Sequence, residues 1–394
     1  MMNESNRETW CVNAFHSMTA NNNGSTKMCC MMVGSYDSFI GKSSIEENFN
    51  NPMASEIRTS LSNGDRHSSC KLCWEEEDAG RQSKRIRDNN RYFHEIKRGA
   101  QAPFEGLAKF ELHLGNTCNI KCRTCHPTIS STWMKETYDL DYSDRWIYRE
   151  YSDKLKPFHQ QYDEDSDFWP DLEENLPTIK QFDFYGGEPF LSKKMWEVLA
   201  LCVEKGYAKD IELHYNTNGT LWPEETTLWR HFKSVDLSFS IDGVGERFEY
   251  MRFPAKWDVV QENMQKARDY RNKYNNMSLG WCITLSSINI FHLPETLNEY
   301  HKNYSDFGYV FLNLVHGPPP FNISKMPNHV KEKVVENLEQ ISDDSQVSGV
   351  IGFMQNGEHD PEVWKDFLFR LKRHDEYRNQ DFFETFKEYA NIME

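Results

Sequence analysis

The chain has 394 residues, with 61 Asp and Glu against 45 Lys and Arg, a formal net charge of -16 and ten cysteines. That length supplies one large or two moderate domains with a substantial core, and the acidic balance argues against a surface built mainly to hold a nucleic-acid backbone. The start, Met1-Met-Asn-Glu-Ser-Asn-Arg-Glu, is polar, and no apolar run approaches the ~20 residues of a membrane helix, so no secretory signal or membrane span is expected.

Residues 1–100 read as a distinct cysteine-bearing segment. Cys11 is followed by twelve residues, Gly24, four residues and Cys29, and the pair Cys70-Lys-Leu-Cys73 completes a set of four thiols. Such spacing in a chain without a signal points to metal ligation in a reducing cytoplasm more than to disulfides. Four-cysteine sites with a C-x2-C arm hold zinc as well as iron-sulfur, and spacing alone leaves both open. Cys30 adjoins Cys29. The Gly-x4-Cys spacing selects Cys29, and vicinal side chains diverge, so Cys30 reads as a small buried residue. From Glu75 to Arg87 acidic residues precede basic ones along a helical stretch, the order that suits a helix dipole. A solvated helical face is the expectation there, with an anionic contact for Arg81, Lys84, Arg85 and Arg87 as the alternative.

The core, residues 101–327, reads as six strands separated by helical stretches: Phe110 to Leu114, Gln181 to Tyr185, Ile211 to Tyr215, Val235 to Ile241, Leu279 to Leu285 and Tyr309 to Val315. Strand, helix, strand repeated in this way means a parallel sheet. The first strand runs into Cys118-Asn-Ile-Lys-Cys122-Arg-Thr-Cys125, the spacing C-x3-C-x2-C. Thiolate-only ligation selects zinc or iron-sulfur, and one reading is a zinc knuckle completed by His126 or a distant cysteine. Later strands end in Gly186-Gly187-Glu188-Pro189, in Asn216-Thr-Asn218-Gly and in Ser240-Ile-Asp242-Gly, each with turn chemistry after a period-two run.

Taken together, these four motifs resemble the radical S-adenosylmethionine (radical SAM) enzymes, over about Lys109 to Pro327. The resemblance implies an α/β fold, a partial (β/α)6 TIM-like barrel. It also implies a 4Fe-4S cluster on Cys118, Cys122 and Cys125, whose open iron binds S-adenosylmethionine. The cofactor would meet Gly186, Gly187, Glu188 and Pro189 through its amino group, and Asn216, Asn218, Ser240 and Asp242 through the ends of the next strands. Cys11, Cys29, Cys70 and Cys73 resemble the ligand pattern of SPASM and twitch extensions, which implies a probable second, auxiliary 4Fe-4S cluster; those extensions usually follow the barrel, whereas this segment precedes it. Implied in turn are reductive cleavage of the cofactor to a 5′-deoxyadenosyl radical, hydrogen abstraction from a substrate, and a flavodoxin- or ferredoxin-type reductant. The competing readings are a radical SAM enzyme acting on a sugar, nucleoside or other small molecule, and a non-catalytic zinc or iron-sulfur protein.

Alternation adds a reading of its own. Ile211, Leu213 and Tyr215 alternate with Glu212, His214 and Asn216, and Val235, Leu237, Phe239 and Ile241 with Asp236, Ser238, Ser240 and Asp242. The polar face should therefore line a solvent- or ligand-filled lumen, because unpaired buried polar groups cost about 1–3 kcal/mol each. Glu111 and His113 share that parity, and each is expected to be a satisfied core side chain. The connection Thr137 to Leu176 is rich in aromatic and acidic residues and longer than a tight turn requires, so it reads as a lid or peptide-binding surface or as an extra packed helix. With the acidic charge it tilts the substrate toward a peptide or protein side chain, rather than a small molecule. Residues 328–394 read as a helical extension, Val330 to Ile341, Pro361 to Arg373 and Gln380 to Ile392, packed on the barrel and carrying no chemistry.

Overall fold

A computed structural model of the chain describes residues 8–97, 106–140, 162, 165–390 and 392. Two short strands, β1 Ser17–Ala20 and β2 Thr26–Lys27, precede the six expected ones: β3 Lys109–His113, β4 Gln181–Tyr185, β5 Glu212–Thr217, β6 Ser234–Ser240, β7 Met277–Leu285 and β8 Tyr309–Leu314. The eight form one open sheet in the order β2-β1-β3-β4-β5-β6-β7-β8. All neighbours are parallel except β1 and β2. The first two strands extend the partial barrel at its leading edge, with Ser17–Ala20 in register with Lys109–Leu112. Helices Lys193–Glu204, Trp257–Tyr274 and Leu293–Asn303 supply crossovers, and a 3-10 stretch, Glu224–His231, links β5 to β6.

The alternation holds. Leu213, Tyr215, Val235, Leu237 and Phe239 are buried in one core with Phe110, Phe182 and Phe184, while Glu212, His214 and Asn216 are half-buried on the opposite face. Fully burying such a side chain contributes about 1.5–3 kcal/mol. On the polar face Thr19, Glu111, Asp183, His214, Asp236 and Ser278 stand side by side across successive strands. This row is filled by protein. Lys84, from the helix Lys84–Lys97, pairs with Glu111 and Asp88 at 3.1 Å each, and Lys109 reaches Asp183 at 3.0 Å. The lumen is thus lined with partners at this level, where solvent or ligand was expected.

The charge run also departs from the solvated face expected of it. Glu76, Arg81 and Arg85 are buried: Arg81 donates to the Leu312 carbonyl at 2.6 Å, and Arg85 grips Glu77 and the Trp10 carbonyl. The run packs between the cysteine-bearing segment and the far edge of the sheet, which a one-dimensional charge pattern does not record.

At the C-terminus the helices are Asn328–Leu338, Ser345–Asn356, Pro361–Arg378 and the short Phe382–Thr385, which pack with Ile283, Leu285, Leu312 and Leu314 as a second core. Within the expected helices Leu338, Phe367 and Leu371 are buried, whereas Leu368 is exposed. Of the long connection, Phe168–Asn175 forms a helix whose Phe168 is fully buried, and Tyr162 donates to the Ala20 and Asn21 carbonyls. Tyr142, Trp146, Tyr148, Tyr151 and Phe158 lie outside the described residues.

Candidate active site

The loop after β3 is held by its own return segment. Ser130 and Thr132 hydroxyls donate to the Ile120 carbonyl at 2.7 Å each, the Trp133 indole N–H donates to the Cys122 carbonyl at 3.0 Å, and the Asn116 amide to the Pro127 carbonyl at 2.8 Å. With the backbone thus satisfied, Cys118, Cys122 and Cys125 sit close enough that burial first, and then Cys122 and Cys118, push the Cys125 thiol well above its ordinary value. Burial likewise pushes Cys122 up to about 12. Thiols so desolvated bind metal only as thiolates whose charge the metal itself compensates. His126, the alternative fourth ligand, has its Nδ1 2.7 Å from the Thr128 hydroxyl.

The loop after β4 presses against this one. A Cβ on Gly187 would stand 2.1 Å from the Thr117 carbonyl oxygen, and one on Gly186, where φ is +119°, would meet the Gly115 oxygen at 2.9 Å. Only glycine permits that approach. The Glu188 N–H then donates to the Thr117 carbonyl at 2.9 Å, and Pro189, buried, opens a short 3-10 turn. The Glu188 carboxylate accepts from the Thr217 hydroxyl and the Asn218 N–H at 2.8 Å and from the Phe190 N–H at 3.3 Å. Burial outweighs those bonds and raises its pKa to about 7. It ties the ends of β4 and β5 together.

Asn218 completes the rim. Its amide donates to Asn119 at 2.9 Å and approaches the Cys118 sulfur at 4.0 Å, while Asn216 and Ser240 are half-buried at the ends of β5 and β6. Asp242 is buried, accepts from the Thr284 N–H at 2.9 Å and pairs with Arg252 at 2.8 Å. Arg252 in turn points Nη1 at the Cys122 sulfur, 3.7 Å away. Sequence reading missed Arg252; its signal was a lone arginine ten residues beyond Asp242, with no motif around it.

The C-terminal extension reaches the same loop, against the expectation that it carries no chemistry. Arg123, 1% exposed, is held by Asp375 at 2.6 Å, by Gln380 at 2.9 Å and by the Tyr250 ring 3.9 Å away. Periodicity shows which helix faces are apolar and does not show which loop they cover.

The other predicted cysteines also come together. Cys11, Cys29, Cys70 and Cys73 line one cavity with Met28, Met32, Lys84 and Arg85. Cys30 turns away: its thiol approaches Glu111 at 3.7 Å, and its N–H donates to the same carboxylate at 2.6 Å. Burial pushes Cys11 and Cys70 up to about 12. Among the described residues no three His, Cys, Asp or Glu side chains close to the spacing of a single-ion site. Glu111 meets its expectation, with Thr19, Lys84, Lys109 and the Cys30 N–H as partners. His113 does not: its buried Nε2 has no hydrogen-bond partner among the described residues, and burial lowers its pKa to about 4.

An open, mostly parallel α/β sheet whose first core strand ends in a three-thiol loop, braced by glycines from the second, is a partial-barrel architecture. Residues 112–284 match the family model of the Radical SAM superfamily. Among solved structures it is similar to native anSMEcpe with bound AdoMet, at 19% identity and a TM-score of 0.40 over 60% of this chain and 59% of that one. It is also similar to Streptococcus suis SuiB bound to S-adenosylmethionine, at 12% identity and a TM-score of 0.38 over 75% of this chain and 60% of that one. SuiB bound to precursor peptide SuiA matches at 11% identity and a TM-score of 0.35, over 73% of this chain and 62% of that one. The chain thus spans about three fifths of the length of each of these structures. Comparison with curated proteins gives no match. Among the described residues no helix is long and apolar enough to cross a membrane.

Proposed function

We propose that the chain is a radical SAM enzyme, that Cys118, Cys122 and Cys125 hold its 4Fe-4S cluster, that Cys11, Cys29, Cys70 and Cys73 hold a second one, and that the substrate is a peptide or protein side chain oxidised in the lumen. The observation that carries the first assignment is the contact of Gly186 and Gly187 with the backbone of the three-thiol loop, which brings the ends of β3, β4 and β5 to one rim. The donor set is thiols alone. When bound, the cluster supplies a low-potential electron and an open coordination position for S-adenosylmethionine.

The chain's own residues do the rest. Glu188 holds the rim closed through Thr217 and Asn218, Arg252 brings a cation to Cys122, and Asn216 and Ser240 present polar groups at the strand ends. The second assignment is supported by the shared cavity, which the four thiols line together. Four ligands leave no open iron, so this centre would accept an electron from the substrate. A flavodoxin- or ferredoxin-type partner is the proposed source of the initial electron, and ten free cysteines suit a reducing cytoplasm. The peptide reading is supported by the aromatic and acidic composition of the connection.

Anaerobic reconstitution should load about eight irons, as two four-iron clusters require. Replacing Cys118, Cys122 and Cys125 together with Ala should remove about half and abolish 5′-deoxyadenosine formation. A triple variant that still cleaves the cofactor would refute the first assignment. Deleting residues 141–161, which spares the packed Tyr162 and Phe168, should leave cofactor cleavage intact and abolish its stimulation by a peptide substrate.

A further inference from the structure

Four cations lie between Gly80 and Asp88, and three of them are held by the protein itself. Arg81 has the Leu312 carbonyl, Lys84 has Glu111 and Asp88, and Arg85 has Glu77. Arg87 differs. Half-buried on the helix Lys84–Lys97, it lays its guanidinium 4.2 Å over the Phe311 ring, and Nη1 donates to the Gln82 carbonyl at 2.8 Å. Among the described residues no carboxylate pairs with it, and its side-on edge, Nε and Nη2, makes no hydrogen bond to any of them.

The ring beneath it fixes where this cation stands. Leu312 and Leu314 are buried in the second core, so Phe311 faces the other way, into the lumen, as does Tyr309, whose hydroxyl donates to Asp236 at 2.9 Å. Phe311 is in register with Cys282, and Cys282 with Ser240, two side-chain levels beyond the filled pair Asp236 and Ser278. Carboxylates on this face already have cations: Asp88 and Glu111 meet Lys84, Asp183 meets Lys109, Asp236 meets His214, and Asp242 meets Arg252. The other polar groups there, Asn216, Ser240 and His113 with its unpartnered Nε2, carry no charge at neutral pH, since burial lowers His113 to about 4. Arg87 therefore sets the sign of charge that the open part of the lumen accepts. A guanidinium held flat on a ring, with Nε and Nη2 side by side, is the planar fork that a carboxylate meets with both oxygens.

We propose that Arg87 selects the substrate: a carboxylate on the peptide, at or beside the residue that is oxidised, pairs with Nε and Nη2 while Phe311 holds the guanidinium flat. The inference deepens the peptide reading above and rests on it. Arg87 enters no bond-making step; it decides which peptide is held in the lumen.

The experiment measures, by calorimetry on the reconstituted full chain with S-adenosylmethionine present, the binding of end-blocked glycine-rich peptides that carry one central Glu, Gln or Lys. The wild type is expected to bind the Glu peptide about tenfold more tightly than the Gln peptide, as a charge-assisted bidentate pair implies, and the Lys peptide least. Arg87→Gln should erase that preference with iron content and S-adenosylmethionine affinity unchanged, and Arg87→Glu should turn it toward Lys. A merely structural role would weaken all three peptides alike, and that result overturns the inference. A fall in S-adenosylmethionine affinity with the peptide preference intact would assign Arg87 to the cofactor's own carboxylate, and overturns it too. If Arg87→Gln does not fold, Arg87→Lys decides: a Glu preference smaller than that of the wild type supports the inference, and an undiminished or absent one overturns it. A wild type that binds the peptides without preference overturns the inference and leaves the peptide reading standing, whereas one that binds none of them removes both.

Discussion

Thr117 and Gly187 show how single residues fix the site. Their backbones meet where a methyl group would stand 2.1 Å from a carbonyl oxygen and 2.6 Å from its carbon, and neither atom is a flexible side-chain end that could swing aside. Gly187→Ala must therefore part the two loops. An expected loss of about 1–3 kcal/mol of stability, the range for overpacking, should appear as a lower melting temperature, together with weaker S-adenosylmethionine binding by calorimetry. Wild-type values for both would show that the contact yields without consequence. The glycines were legible in the sequence as turn residues, but their partner was not, because Thr117 lies 70 positions away in the chain. For the same reason Arg252 stood in no motif: its meaning comes from Asp242 and Cys122, which only the fold brings to it.

Elements tell a similar story of local signals and remote causes. The strands β3 to β8 were readable because each joins a period-two pattern to a turn. Strand β1 was not, since its four residues are all buried and its pairing is with Lys109–Leu112, far along the chain. The helix Ser345–Asn356 was not among the expected ones, and its glycines have remote partners: a Cβ on Gly349 would stand 2.5 Å from the Arg81 side chain, and one on Gly352 3.0 Å from the Ala79 oxygen. They are sites of close approach. The pairing of β5 with β6 carries a prediction of its own. Burial alone would lower the His214 pKa, but the Asp236 carboxylate, 2.8 Å away, outweighs it and raises it, while Asp236 itself is lowered despite burial. A raised histidine stabilises the fold below its unfolded value, about 6.5, and that contribution is lost as pH rises through the folded value. The carboxylate's share is present above about 3.8 and is lost in acid. Melting temperature should therefore fall between about pH 6 and pH 8 more in the wild type than in His214→Asn, and equal slopes in the two proteins would remove the pair from the stability account.

On the scale of the whole molecule, both flanking segments belong to the barrel. The first contributes two strands and a helix whose Lys84 and Asp88 complete the polar face. The last closes over the three-thiol loop through Asp375, Gln380 and Arg378. Truncation after Arg378 removes Gln380 and the Phe382 N–H that donates to Asp375 at 2.8 Å, which leaves Arg123 with a less constrained partner. In the metal-free protein the truncated chain should react faster with a thiol reagent at Cys118, Cys122 and Cys125, with little change at Cys11 and Cys70. Identical labelling rates would show that the extension does not shield the loop.

The bond between Arg123 and Asp375 spans 252 positions. A ribosome delivers the chain from the N-terminus, and segments fold as they emerge, so Cys118, Cys122 and Cys125 are exposed long before Asp375 exists. The four thiols of the first segment emerge earlier still, although the Glu111 that anchors Cys30 follows them. The three-thiol loop is therefore open for an interval during synthesis, which ends when Asp375 and Gln380 have been made and have packed on Arg123.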